Sequence, residues 1–358
     1  MIFVISSKRK IGILTFHKSQ SYGAVLQCYA LYNALKNNLR CDVGIIDFYP
    51  PRFAKNKKKT NSSPFYDFSN RNLPFVTEEC STLDQCLVSL KNDQNPITDI
   101  VVGSDQVWNP EILKDTLQDY FLCQAMPGIK KYAYAASFGT ETLQANPQTA
   151  EIISNALKDF HAIGVREKNG VQICMELGRD NAHEVVDPTL LVPSEIYDRF
   201  IDQTFCPNRI CGFFLAKQSY QPVIVKAIAR SQKVSPLFLA GKAPFFSFIK
   251  SVKTPGVEQF VSAIHNSAGV VTDSFHGVCF AIIFKRQFVV LPSYKKDRFI
   301  RIAALLEKFG LQDRVIADYN PQKAVSKMLE PIDYSKVYDI LLEHRKTSMD
   351  FIKTSFEQ

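Results

Sequence analysis

Apolar positions fall along this chain in short continuous runs, separated by segments in which they recur at helical spacing. Residues 11–16 form the first run, a strand of Ile, Leu, Thr and Phe that opens into the polar loop from His17 to Gly23. Val25, Cys28, Tyr32 and Leu35 then share one face of a helix over 24–36. Residues 43–48 return as a strand closed by Pro50 and Pro51. Strand, loop, helix, strand is the βαβ unit of a parallel sheet. Residues 52–75 break the rhythm: Arg52, Lys55, Lys57, Lys58 and Lys59 come with no acid among them, so this stretch reads as a basic, solvated excursion. Further strands follow at 99–103, 131–137, 162–165 and 184–186, with a helix through Ile152, Ile153, Ala156, Leu157 and Phe160.

The second half alternates more regularly. Strands are expected at 210–215, 236–240, 269–272 and 288–291, and helices at 221–231, 278–285 and 297–309, with one more through Val257, Phe260, Val261 and Ile264. Both halves thus read as α/β, two Rossmann-like doubly wound domains. The expected divisions are 1–192, 193–330 and a helical C-terminal segment, 331–358.

The length of 358 residues suits two domains with real cores. A hydrophobic share of 46% with 22% charged residues excludes a disordered chain. No apolar run approaches the ~18 residues that span a bilayer. The start is apolar before it is basic, the reverse of a secretory signal, so a cytoplasmic location is expected. Forty-three basic residues against 35 acidic ones give a charge of +8. That excess suits an anionic substrate or peripheral contact with an anionic membrane at its inner face, with 52–59 as the contact. The basic run carries no interleaved aromatics apart from Phe53 and no recognised module follows, so nucleic acid is not the expected partner. Nine cysteines show no CxxC, and Cys28 and Cys279 sit in apolar helical patterns; reduced structural thiols and no metal are expected.

In doubly wound domains the productive polar residues stand just past the strand C-termini. Residues 270–277 deliver Ser274-Phe275-His276-Gly277 to a helix start, where free N–H groups favour an anion. Ser274 is a cap or a phosphate donor; His276 is a structural donor or a group that binds phosphate and moves a proton. In Gly103-Ser104-Asp105-Gln106-Val107-Trp108-Asn109, Asp105 is a turn former or a carboxylate for acid–base work, and Trp108, the only tryptophan, is a core anchor. Arg166 directly follows a strand and either forks to a ligand anion or pairs with Glu167 or another acid. The first loop, with His17, Ser21, Tyr22, Gly23 and then Gln27, is the weakest of the four. No GxGxxG, GxxxxGK[ST], HExxH or GxSxG accompanies any of them.

These segments also carry a resemblance. Gly12-Ile13-Leu14-Thr15-Phe16, Ser21-Tyr22-Gly23-Ala24-Val25-Leu26-Gln27, Val102-Gly103-Ser104-Asp105-Gln106-Val107-Trp108-Asn109, Val165-Arg166-Glu167-Lys168, Val186-Asp187-Pro188-Thr189-Leu190-Leu191 and Val271-Thr272-Asp273-Ser274-Phe275-His276-Gly277 resemble, in order, the polysaccharide pyruvyl transferase family. Ser21 stands where many members have asparagine, and Gln259 where a tryptophan often follows the glutamate. The resemblance implies a GT-B-like fold with two domains facing across a cleft. It implies no cofactor, phosphoenolpyruvate as donor, and a hexose hydroxyl pair as acceptor, polyprenyl-diphosphate-linked sugars included. His276, Asp105 and Arg166 would then be catalytic. Ser274, Phe275, Gly277, Lys295, Lys296 and Arg298 would hold the donor from the C-terminal side; Ser21, Tyr22, Gly23, Gln27, Gly103, Ser104 and Gln106 would meet the acceptor. Two rivals are a GT-B-like glycosyltransferase using a nucleotide sugar and a non-catalytic carbohydrate- or anion-binding module.

Overall fold

The computed structural model describes residues 9–50, 63–91, 95–124, 126–216, 218–240, 251–253, 255–293 and 296–356. The chain divides into two compact units, Met1–Val192 with His344–Gln358, and Pro193–Glu343. The C-terminal segment expected as one piece at 331–358 is therefore shared. In the helix Tyr334–Phe356, Tyr338 Oη donates to Ile283 O in the second unit, whereas Phe356 stacks on Tyr132 of the first with centroids 4.3 Å apart.

The first unit carries strands β1 (Lys10–Leu14), β2 (Asp42–Ile45), β3 (Asp99–Val102), β4 (Lys130–Ala136), β5 (Phe160–Val165) and β6 (Ala182–Glu184). They lie in the order β2-β1-β3-β4-β5-β6, and every pairing is parallel. The second carries β7 (Arg209–Phe213), β8 (Ser235–Ala240), β9 (Ser251–Lys253), β10 (Gly269–Thr272) and β11 (Phe288–Val290), in the order β11-β10-β7-β8-β9, again all parallel. Both are Rossmann-like sheets. Strands buried on both faces need no polar alternation, which is why β3 (DIVV) and β10 (GVVT) are enclosed at every position.

Each sheet reverses its strand order once, between β1 and β3 in the first unit and between β7 and β10 in the second. At such a reversal, the connections leave in opposite directions and a crevice opens beyond the strand C-termini.

Trp108 anchors the first core. It is fully enclosed, stacks on Phe121 at 5.0 Å, meets Phe138 and Phe160, and donates from Nε1 to Tyr120 O at 3.1 Å. The second core gathers Ile224, Val225, Ile228, Phe238, Val271 and Val289 around β7 and β10.

Several elements differ from the sequence-based expectation. β9 and the helices Leu83–Lys91, Lys168–Glu176 and Pro321–Leu329 are additional, Phe160 opens β5 instead of closing a helix, and the strand expected at 184–186 is Ala182–Glu184. Helix Pro64–Asn72 occupies the end of the basic excursion: Ser63 caps it through Tyr66 N, Pro64 opens it, and Phe65 packs on Tyr22 at 4.8 Å. The basic run from Arg52 to Lys59 lies outside the described residues. The helix after β10 begins at Phe275, not at 278, because Ser274 caps it; His276 and Gly277 stand in its first turn.

Candidate active site

In the second unit, the β10 terminus is tied to its neighbour β7. Thr272 Oγ1 donates to Phe213 O at 2.6 Å and accepts from Ser274 N at 3.0 Å. Asp273 spends its carboxylate on the next loop, accepting from Leu215 N at 2.6 Å and Ala216 N at 3.0 Å. Backbone N–H groups bonded to a carboxylate are strong enough to hold a buried charge, and they fix the β7 loop beside the helix start. Ser274 Oγ accepts from Gly277 N at 3.3 Å, the capping role its position allows. A hydroxyl that accepts in this way still carries a proton to donate. His276 is 7% exposed and meets the Phe275 ring edge-on at 5.1 Å. Lys295 lies outside the described residues; Lys296 and Arg298 stand in the first turn of helix Lys296–Lys308, with side chains outside the description.

In the first unit the corresponding ties are made by Thr15, Gln27 and Ser104. Thr15 Oγ1 donates to Ser104 O at 2.9 Å, Gln27 Nε2 to Thr15 Oγ1 at 3.0 Å, and Ser104 N to Gln27 Oε1 at 3.0 Å. Gln27 and Ser104 are 0% exposed, so both close the floor of the β1/β3 reversal from inside. Ser21 caps helix Tyr22–Asn38 through Ala24 N, and burial pushes up the pKa of the Tyr22 phenol. Gln106 Oε1 accepts from Asn109 Nδ2 at 2.9 Å.

Beyond β3 the backbone turns through Gly103, at φ +122°, and Asp105, at φ +76°. A non-glycine residue in the left-handed region is uncommon and marks a position held by its surroundings. Ser137 N and Val107 N both donate to Asp105 O, at 3.0 and 2.7 Å, which fixes the turn. Arg166 lies beside it, and three carboxylates surround the guanidinium: Nε donates to Glu167 Oε1 at 2.8 Å, NH1 to Asp187 Oδ2 at 3.1 Å, and Asp105 Oδ1 is 3.7 Å from NH1. The salt-bridge alternative for Arg166 is thus what stands within this unit. Burial opposes its charge, yet Glu167, Asp187 and Asp105 together hold its pKa above the ordinary arginine value.

Exposure separates the members of this cluster. The side chain of Asp105 is 15% exposed, against 1% for Arg166, 5% for Glu167 and 0% for Asp187. Asp105 is the most exposed carboxylate of the group.

A sequence profile of the family described as Polysaccharide pyruvyl transferase matches residues 22–293, which include Gln27, Asp105, Arg166 and His276. The chain belongs to that family. No curated protein matches the chain in sequence. Among solved structures it is similar to a putative UDP-N-acetylglucosamine 2-epimerase from Listeria monocytogenes, with 12% identity, TM-score 0.57, and coverage of 98% of this chain and 97% of that one. It is likewise similar to a UDP-glucosyltransferase from Polygonum tinctorium (10% identity, TM-score 0.55, coverage 99% and 100%) and to UDP-GlcNAc 2-epimerase from Methanocaldococcus jannaschii (12%, 0.52, 98% and 100%). At such identities the likeness concerns the fold, which is GT-B-like.

The structure adds pairings that local reading passes over. Asp187 looks like a strand stop before Pro188 but is a ligand of Arg166. His17 and Lys18, just past β1, join Asp47 past β2: His17 Nε2 lies 2.9 Å from Asp47 Oδ1, and Lys18 Nζ donates to Asp47 Oδ2 at 2.6 Å and Glu79 Oε2 at 2.9 Å. The positions after strands were the available signal; the partners are remote in sequence. Among the described residues no group of His, Cys, Asp and Glu is placed to hold a metal, and no helix is long and apolar enough to cross a membrane.

Proposed function

We propose that this pyruvyl transferase moves the enolpyruvyl group of phosphoenolpyruvate onto a hydroxyl pair of a galactose-type hexose. The acceptor belongs to a surface glycan or its lipid-linked precursor, and the reaction releases phosphate and closes a cyclic pyruvate ketal. The enol carbon accepts a hydroxyl once a proton has reached the methylene, which becomes the methyl group. The attacking oxygen forms its bond to that carbon and yields its proton; the carbon–oxygen bond to phosphate breaks, and the second hydroxyl closes the ring. Such a path needs a proton donor, a base and donors for the leaving phosphate.

The second unit offers the helix start at Ser274–Gly277 as the phosphate cradle, with His276 binding the phosphate or protonating the donor. The first unit offers Asp105 to orient or deprotonate the acceptor. The observation carrying this reading is the exposure of Asp105 alone within a buried ionic cluster at a strand-order reversal. Arg166 keeps its charge in that cluster and sets the field around Asp105. We place the reaction in the cytoplasm, at the inner face of the membrane when the acceptor is lipid-linked.

Phosphate release measured with phosphoenolpyruvate and a galactoside acceptor tests the proposal. In His276→Ala, turnover is expected to fall by about 10²–10⁴-fold, the usual worth of a positioned proton donor or acceptor. Near-wild-type turnover removes His276 from the chemistry. A thermal shift with UDP- or GDP-sugars and none with phosphoenolpyruvate would replace the reading by a nucleotide-sugar transferase.

A further inference from the structure

We infer that Asp187 is a positioning residue for the transfer reaction, acting through Arg166 on Asp105; the inference rests on the reading of Asp105 as the acceptor's base.

The Asp187 carboxylate has no freedom to turn. Oδ1 accepts from Thr189 N at 3.0 Å and from Thr189 Oγ1 at 2.7 Å, and Oδ2 accepts from Arg166 NH1 at 3.1 Å. Its backbone is braced by its neighbours. Val186 O accepts from Tyr134 Oη at 3.1 Å and Val186 N donates to Ser348 Oγ at 3.0 Å. In and just beyond the short helix Pro188–Leu191, Arg345 donates to Leu190 O at 2.5 Å and to Val192 O at 2.8 Å. The last helix of the chain, which supplies Ser348 and Arg345, thereby holds the Asp187 loop.

A guanidinium is planar, so fixing Nε on Glu167 and NH1 on Asp187 fixes the whole group. Asp105 lies 3.7 Å from that same NH1. At this distance the attraction is Coulombic, so its strength follows the separation that the fixed guanidinium sets. Asp105 sits on a turn with φ +76°; its Oδ1 accepts from Gln106 N at 2.9 Å and faces the guanidinium, so its orientation answers to both. Removing the Asp187 charge frees the guanidinium to swing toward Asp105, which draws the base off its acceptor-facing orientation. A displacement of about 1 Å at a reacting group costs about 10²-fold in rate.

The test is a double-mutant cycle on kcat for phosphate release from phosphoenolpyruvate, normalised to folded protein. Asp187→Asn is expected to lower kcat at least about tenfold while moving KM for phosphoenolpyruvate less than about threefold. In the Asp105→Asn background the same change is expected to alter residual kcat less than about twofold, because the group it positions is gone. A purely structural role predicts additive effects in the two backgrounds, and additivity overturns the inference. If Asp187→Asn does not fold, Thr189→Ala, which loosens only Oδ1, goes through the same cycle: non-additivity supports the inference and additivity overturns it. A wild-type enzyme that releases no phosphate from phosphoenolpyruvate overturns the functional reading, and this inference with it. Turnover in the wild type with additive mutants overturns the inference alone.

Discussion

Gly277 tests how tightly the candidate phosphate cradle is built. A Cβ placed there would lie 2.5 Å from Thr272 Oγ1 and 3.2 Å from Thr272 Cβ and Cγ2. Thr272 is fully enclosed, and rotating it exchanges one crowded atom for another, so relief requires its hydroxyl to leave Phe213 O and Ser274 N. Two lost buried hydrogen bonds cost about 1–3 kcal/mol and the overpacking about 1–3 kcal/mol. Alanine regains about 1 kcal/mol over glycine in a helix. Gly277→Ala should therefore destabilise the second unit by roughly 3 kcal/mol, or about 6–12 °C in Tm for a unit of this size. Scanning calorimetry with urea unfolding reads both quantities. Thr272→Ala removes Oγ1 and Cγ2 and leaves only Cβ at 3.2 Å, so adding Gly277→Ala to it should cost less than about 1 kcal/mol. A single variant melting within about 2 °C of wild type, or a fully additive pair, refutes the close-approach argument.

Gly103→Ala should be harsher, because φ there is +122° and a Cβ would stand 2.2 Å from Tyr134 O, a backbone atom of β4. The expected outcome is little or no folded protein by circular dichroism, and a cooperative melt near that of wild type would refute it. Asp47→Asn removes one of the two carboxylate partners of buried Lys18, leaving Glu79, and should cost about 1.5–3 kcal/mol in urea unfolding. Burial works against the Asp47 charge, yet His17 and Lys18 hold its pKa below the ordinary value. Its stabilisation is thus complete above about pH 4 and lost as pH falls through the depressed folded value. Lys18 is likewise disfavoured by burial but raised by Asp47 and Glu79, so its contribution is complete below about pH 10 and lost as pH rises through the raised value. Urea midpoints measured against pH should show the acid limb flattened in Asp47→Asn; an unchanged limb would assign it to other carboxylates.

The fold was legible because parallel strands buried on both faces leave uninterrupted apolar runs, as at β3 and β10, and helical spacing marks what joins them. Trp108 as a core anchor was legible for the same reason. Helix Pro64–Asn72 was not, since the basic residues before it dominate the local pattern and its apolar face is short; Ser63-Pro64 was the signal that could have placed it. The helix start at Phe275 was obscured by a histidine and a glycine in the first turn, which look like loop until Ser274 is recognised as the cap. Asp105, Arg166 and His276 were legible as polar residues after strands. The partners of Arg166 and of Lys18 were not, because Asp187 lies 21 residues from the one and Asp47 29 from the other, and no local periodicity encodes such pairings.

The two reversals use one device, and that explains which polar residues remain for chemistry. Where strand order reverses, two neighbouring strand ends have no helix packed across them, and their backbone groups need partners. In the second unit Thr272 and Asp273 meet that need by reaching to Phe213 O, Leu215 N and Ala216 N. In the first, Thr15 and Gln27 do so by reaching to Ser104. Each of these side chains is committed to the floor, and each is buried for that reason. On the proposed function, the residues that follow are the ones that meet a ligand: Asp105 after Ser104, and His276 in the turn that Ser274 caps. A polar residue one step nearer the strand is structural by the same geometry. If the proposed roles hold, changes at Thr272 or Gln27 act by moving the residue above them, whereas changes at Asp105 or His276 remove the reacting group itself.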